Sequence, residues 1–210
     1  MTISEIITSI SVMIAAIAFV SGINAWKREF VGKRRIELAE TVLAMFYEAQ
    51  DAIREIRSPF GTTNEGNTRK RSDNELEEDA IILDRAYVVF ERYKKSEKLF
   101  AELQSIRYRF MAIFGADSGQ PFDELNKVLQ EIFTSAHMLG SCYWKKRAIE
   151  RMSDEKHQEF LEQMQKHEAK FWSMTTEPDE ITLKVKQAVE KIEEITKETS
   201  LNTSIKKVKR

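Results

Sequence analysis

The sequence predicts an all-α protein: one N-terminal transmembrane helix that continues into a cytosolic antiparallel helical bundle with a C-terminal helical hairpin. Three observations predict it. Gly and Pro are scarce, 7 and 3 among 210 residues, whereas folds rich in strands need both for their many turns. The stretches between them are rich in Ala, Glu, Lys, Leu, Gln and Arg, the residues that cost least in a helix. Residues 6–25 read IITSISVMIAAIAFVSGINA without a charge. As a helix that segment rises about 30 Å, the thickness of a bilayer's hydrocarbon core.

The flanks of this segment orient it. Glu5 precedes it, and Lys27, Arg28, Lys33, Arg34 and Arg35 follow. Cytoplasmic flanks carry the excess of Lys and Arg, so the N-terminus is expected outside and the bulk of the chain inside. Trp26 falls at the boundary, where an indole has one apolar and one wet end. A cleaved signal peptide would carry a basic stretch ahead of its apolar run, and residues 1–5 have none. A buried core helix is the stronger competitor, because Thr8, Ser9, Ser11, Ser21 and Asn24 dilute the apolar character.

The small and polar residues are ordered. Ser4, Thr8, Ser11, Ala15, Ala18, Gly22 and Ala25 recur at alternating steps of four and three, which places them on one stripe of a helix. Ile6, Ile10, Met13, Ile17 and Val20 lie opposite. In lipid such a stripe lets helices approach closely, and Ser11/Ala15 and Ala18/Gly22 are small-xxx-small steps. Self-association of the span, hence a homo-oligomer, is the expectation.

Behind residues 1–26 the sequence divides into a helical bundle over 27–151 with a mobile loop at 58–75, a C-terminal hairpin over 152–200, and a basic tail at 201–210 that frays. The first helix runs on through Ala39, Val42, Phe46, Ala49, Ile53 and Ile56, spaced by threes and fours. Ser58-Pro59-Phe60-Gly61 ends it, since the residue before Pro is pushed out of the α region. A second helix spans about 75–114, with Ile82, Ala86, Val89, Tyr93, Phe100, Leu103, Phe110 and Phe114 as its apolar face. Pro121 opens a third, to about 151, carrying Phe122, Leu125, Leu129, Ile132, Phe133, Ala136, Leu139 and Tyr143. Ser153 caps a fourth, with Phe160, Leu161, Met164, Phe171 and Trp172. Pro178 opens the last, with Ile181, Val185, Ala188, Ile192 and Ile195. These two narrower helices suit a hairpin or coiled-coil arm.

Little in the chain suggests chemistry. Lys and Arg number 33 against 34 Asp and Glu, so no nucleic-acid partner is expected. Di-iron bundles need Glu-x-x-His on two helices. Thr134, Asp154 and Met164 stand three residues before His137, His157 and His167, so no metal is expected. Cys142 is the sole cysteine; it allows no intramolecular disulfide, suits a reducing compartment, and reads as a buried structural thiol. Gly61 and Gly66 lack the Gly-Lys-Ser/Thr of a phosphate loop. Arg107-Tyr108-Arg109-Phe110 suits a half-buried helix better than base stacking, and Arg69-Lys70-Arg71 a solvated loop. No cofactor and no catalytic set are expected.

The stretches WKREFVGKRRIELAE, IREIRSPFG, YVVFERY and YRFMAIFG resemble pieces of an uncharacterised family of bacterial membrane-anchored helical proteins, over about residues 23–145. The resemblance implies a bacterial inner-membrane setting and no activity. The functional expectation is a non-enzymatic, membrane-anchored scaffold whose span self-associates and whose bundle binds a cytosolic protein. The alternative is an oligomeric membrane effector, pore-forming or bilayer-disrupting, of a toxin or phage-defence type, in which the serines and Asn24 face the assembly.

Overall fold

The computed structural model describes residues 3–62, 64–145, 154–173 and 179–208, and every regular element among them is helical. In chain order these are α1 (Ile3–Ile56), α2 (Glu77–Phe114), a 3-10 turn (Ala116–Gly119), α3 (Gln120–Met138), a π turn (Leu139–Tyr143), α4 (Asp154–Phe171) and α5 (Glu180–Val208). The chain clusters into two compact units, Val42–Ile195 on one hand and Met1–Thr41 with Thr196–Arg210 on the other.

The larger unit is the bundle. The helical periodicity of α1 delivers Val42, Phe46, Ala49, Ile53 and Ile56 to its core, all buried. α3 supplies Phe122, Leu125, Leu129, Ile132 and Ala136, and α2 supplies Val89, Phe100, Leu103 and Phe110. Phe46 meets Phe122 edge-on at 4.9 Å between ring centroids, and Phe122 meets Phe110 at 5.7 Å. Each such ring removed from water stabilises the fold by about 1.5–3 kcal/mol. Phe171 of α4 and Ile181, Val185, Ala188 and Ile192 of α5 are buried as well, so the C-terminal pair shares the core.

Local chemistry sets the element ends. Arg57 and Ser58 donate their amides back to the carbonyls of Ile53 and Glu55 before Pro59 stops the helix. Pro121 stands in the first turn of α3. Gly140, in the π turn, lets that turn approach α2: a Cβ there would stand 2.7 Å from that of Ala86.

Several expectations need correction or placement. The third helix does not run on as regular α structure: it widens at Leu139 into the π turn. The extra residue in that turn shifts the register, and Cys142 is exposed instead of buried. The backbone of α5 is helical to Val208. The cap at Ser153, Pro178 at the start of the last helix, and residues 146–153 and 209–210 lie outside the described residues.

In the smaller unit, α1 is long and apolar enough to cross a membrane, and none of its apolar window is buried. Residues 10–24 are exposed throughout. That differs from a core helix of a soluble domain, whose apolar stripe faces a partner element within the fold.

Candidate functional site

The residues expected to form a seam lie on a stretch of helix that is exposed on every face. Ser4, Thr8, Ser11, Ala15, Ala18 and Gly22 are exposed and Ala25 is partly covered, all on one uninterrupted helix. The hydroxyls of Thr8 and Ser11 are turned inward to the backbone. Thr8 Oγ1 donates to the Ser4 carbonyl and Ser11 Oγ to the Ile7 carbonyl, each at 2.9 Å. This is how a Ser or Thr hydroxyl is satisfied where no water is at hand. Gly22 costs a mid-helix position roughly 0.5–1 kcal/mol relative to Ala. Among the described residues, and outside its own stretch of helix, no atom lies within 4 Å of where its Cβ would be, so none of them requires a glycine there.

The basic flank is equally open. Lys27, Arg28, Lys33, Arg34 and Arg35 are exposed. Lys33 reaches Glu37 at 3.9 Å, and the Arg34 guanidinium lies 4.6 Å above the Phe30 ring.

A second site, in the bundle, was invisible as a site in the sequence. The segment 58–75 joins α1 to α2, and its irregular backbone is as expected. Its arginines, though, are paired. Arg92 of α2, 4 % exposed, donates through Nη1 to the Ser58 carbonyl at 2.6 Å and through Nη2 to the Phe60 carbonyl at 2.8 Å and Glu65 Oε2 at 2.6 Å. The buried Asp84 accepts from Arg69 Nε at 2.8 Å and from Arg71 Nη2 at 2.6 Å. Arg69 also holds Glu75 at 2.7 Å. Gly66 has φ +91° and donates its amide to Glu91 at 2.6 Å; a Cβ on it would collide with the Asp84 carbonyl.

The charges respond to this pairing. The hydrogen bond from Arg92 holds the Glu65 carboxyl below its ordinary range, against the effect of burial. Arg69 does the same for Glu75. Burial opposes the charge of Arg69, but Glu75 and Asp84 outweigh it and raise its pKa. Both glutamates are therefore ionised at neutral pH, and neither is poised as a general acid. Beside them lies an open cleft of about 340 Å³ lined by Gly61, Glu65, Arg71, Ile81, Arg85 and Trp172, among others. The carboxylates in its lining, Glu65 and Asp84, are already engaged by arginine.

Arg57 does for the end of α4 what Arg92 does for the loop. Its Nε donates to the Lys170 carbonyl at 2.8 Å, and its Nη2 to the carbonyls of Ala169 and Trp172 at 2.7 and 2.9 Å. Nη1 and Nη2 grip the two Asp179 oxygens at 2.9 and 3.0 Å. A guanidinium at the carbonyl end of α4 meets both the open acceptors and the negative end of the helix dipole. Nearby, Glu131 pairs with Lys170 at 3.0 Å and Lys184 at 2.7 Å, tying α3 to α4 and α5.

Of the histidines, His167 Nδ1 lies 3.1 Å from the buried Ser135 Oγ across the α3–α4 contact. Burial pushes its pKa down, and the charge of Lys170 pushes the same way. No cluster of three or more His, Cys, Asp or Glu side chains suited to a metal occurs among the described residues. The sequence did carry a signal for the buried charges. Arg57 stands four residues after Ile53, Asp84 four after Ala80, and Arg92 four after Val88. Arg57 is a charge on an otherwise apolar row, and Asp84 and Arg92 share one row with Ala80 and Val88.

Comparison with family models, with curated proteins and with solved structures returned no match for this chain. The resemblance seen in its basic and aromatic stretches therefore has no matched relative to extend it.

Proposed function

We propose that this chain is a non-enzymatic, single-pass membrane-anchored scaffold of the bacterial inner membrane. Its N-terminal segment would cross the bilayer with the N-terminus outside. The span self-associates through the seam from Ser4 to Ala25, and the cytoplasmic bundle binds a protein partner. The observation that carries this reading is the bare apolar surface of α1. Ile7, Ile10, Val12, Met13, Ile14, Ile17, Phe19 and Val20 are each between 53 and 70 % exposed. A continuous apolar surface of that kind is what lipid or another apolar surface covers. Gly22, with no steric reason for being a glycine inside the chain, supports a close helix neighbour. Phe60 and Ile81, 79 and 61 % exposed beside the arginine cleft, offer the bundle's partner an apolar foothold. The inward-turned hydroxyls of Thr8 and Ser11 favour a dry helix contact over a water-lined pore.

Three measurements test it. A transmembrane-association reporter carrying Gly22→Leu or Ala15→Leu should lose most of its signal; an unchanged signal overturns the seam. Overexpression should leave the membrane potential intact, and depolarisation would favour the effector reading. Cys142 is single and exposed, so a membrane-impermeant maleimide should label it in inverted vesicles and not in spheroplasts; the opposite pattern reverses the topology.

A further inference from the structure

The C-terminal flank of the apolar segment is organised beyond its charge. Trp26, Phe30 and Arg34 follow one another at steps of four and so share one face of α1. The rings of Trp26 and Phe30 stack with centroids 5.5 Å apart and 20° between planes. The guanidinium carbon of Arg34 stands 4.6 Å from the centroid of the Phe30 ring. Helical side chains lean toward the N-terminus, so this cation is drawn back to the level of Phe30, one turn, or about 6 Å, beyond Trp26. The column stays on the surface, with Trp26 63 % and Phe30 44 % exposed. Among the described residues no carboxylate pairs with Arg34, whereas the neighbouring Lys33 is taken by Glu37. Lys27 lies on the same side of the helix by its spacing, while Arg28 and Arg35 project from the other.

The depths agree with the chemistry. A headgroup layer adds about 5–7 Å to each side of the hydrocarbon core. With Trp26 at the hydrocarbon edge, the Arg34 guanidinium stands at the depth of the phosphates. Lying over a ring, it keeps its N–H edge free for two phosphate oxygens, the fork geometry a guanidinium favours. Trp26 and Phe30 supply the apolar wall beneath.

We propose that the Trp26–Phe30–Arg34 column, with Lys27, binds the phosphate of an anionic phospholipid headgroup, an inference that rests on the membrane anchor proposed above. A soluble phosphate ester would present the same oxygens; the exposed aromatic wall favours the lipid.

The test uses the full-length protein reconstituted in phosphatidylcholine vesicles with a trace of spin-labelled phosphatidylglycerol or spin-labelled phosphatidylcholine. The spin-label spectrum reads how much of each lipid is immobilised beside the span. The wild type should prefer phosphatidylglycerol about fivefold, the weight of one basic residue at an anionic surface. Arg34→Gln should bring the ratio close to one, and Phe30→Leu, which keeps every charge, should lower it as well. Arg28→Gln removes the same charge from the opposite face and should lower it by less than half as much. Equal immobilisation of the two lipids, or an equal loss from Arg28→Gln and Arg34→Gln, overturns the site. Inorganic phosphate at millimolar concentration should leave the ratio unchanged; if it abolishes the preference, the ligand is a soluble phosphate and the lipid assignment falls. Alkaline extraction separates the two levels. Protein kept in the membrane pellet without lipid preference overturns the headgroup site alone, and protein released to the supernatant overturns the anchor together with it.

Discussion

Phe19, in the N-terminal part of α1, is 70 % exposed; Arg57, one residue past the end of the same helix, is 1 % exposed and heads the fully buried side chains by volume. In water the usual order is the reverse. The two inversions differ in what satisfies them. Arg57 finds acceptors for all three of its nitrogens within the bundle, on Ala169, Lys170, Trp172 and Asp179. None of the described residues covers the apolar window around Phe19. A buried charge that is fully paired explains itself from inside the molecule. An exposed apolar surface needs something outside it, and the bilayer is the proposed answer.

Mutations can break or sharpen this contrast. The largest effect should come from Arg57→Ala, which removes the guanidinium from beside the Asp179 carboxylate and the donors from three carbonyls at the end of α4. Losing one partner of such a pair costs about 3–5 kcal/mol, read by chemical unfolding of the full chain in mild detergent, followed by helical circular dichroism. Phe19→Ala in the same assay should change stability by less than about 0.5 kcal/mol, as exposed sites do. Equal losses from the two would erase the distinction. Gly66→Ala comes next, at about 1–3 kcal/mol, because its φ is +91° and the new Cβ meets the Asp84 carbonyl.

Acid should act on the bundle in two stages. His167 has a folded pKa below its ordinary 6.5, through burial and then Lys170. The unfolded chain therefore binds more protons there, and stability rises with pH. That contribution is complete above about 6.5 and is lost as pH falls through the folded value. Glu65 and Glu75, lowered from 4.5 by hydrogen bonds from Arg92 and Arg69, lose theirs lower still. Glu131 behaves alike: its burial opposes the charge, but Lys184 and Lys170 outweigh that and hold it below 4.5. His167→Gln should remove the first stage of a pH–stability curve and leave the second. The smallest effect belongs to the N-terminal helix. Thr8→Ala should move span association by no more than about 0.5 kcal/mol, since that hydroxyl is already spent on the Ser4 carbonyl.

What could be read from sequence follows from the range of the interactions involved. The spacing of Val42, Phe46, Ala49 and Ile53, or of Leu125, Leu129 and Ile132, is set within one helix, and periodicity reports it directly. The stop at Pro59 and the start at Pro121 are equally local. Arg57 is different: its acceptors lie 112 to 125 residues away in sequence, and no window that sees Arg57 sees them. The same holds for His167 and Ser135, 32 residues apart. Cys142 departs from the sequence expectation for a third reason. Its position follows from a π turn, which carries no composition signal, and one inserted residue rotates everything after it.

The grip of Arg57 on Thr182 and its neighbours also sets an order of events in synthesis. Those acceptors leave the ribosome up to 125 residues after the arginine, roughly 6–25 s later at ordinary elongation rates. Throughout that interval the end of α1 waits for its partners, while the apolar segment ahead of it has long since emerged. If α1 is the anchor proposed above, its delivery to a membrane would precede closure of the bundle, and a chain that stalls before residue 169 would carry an arginine whose acceptors have yet to be made.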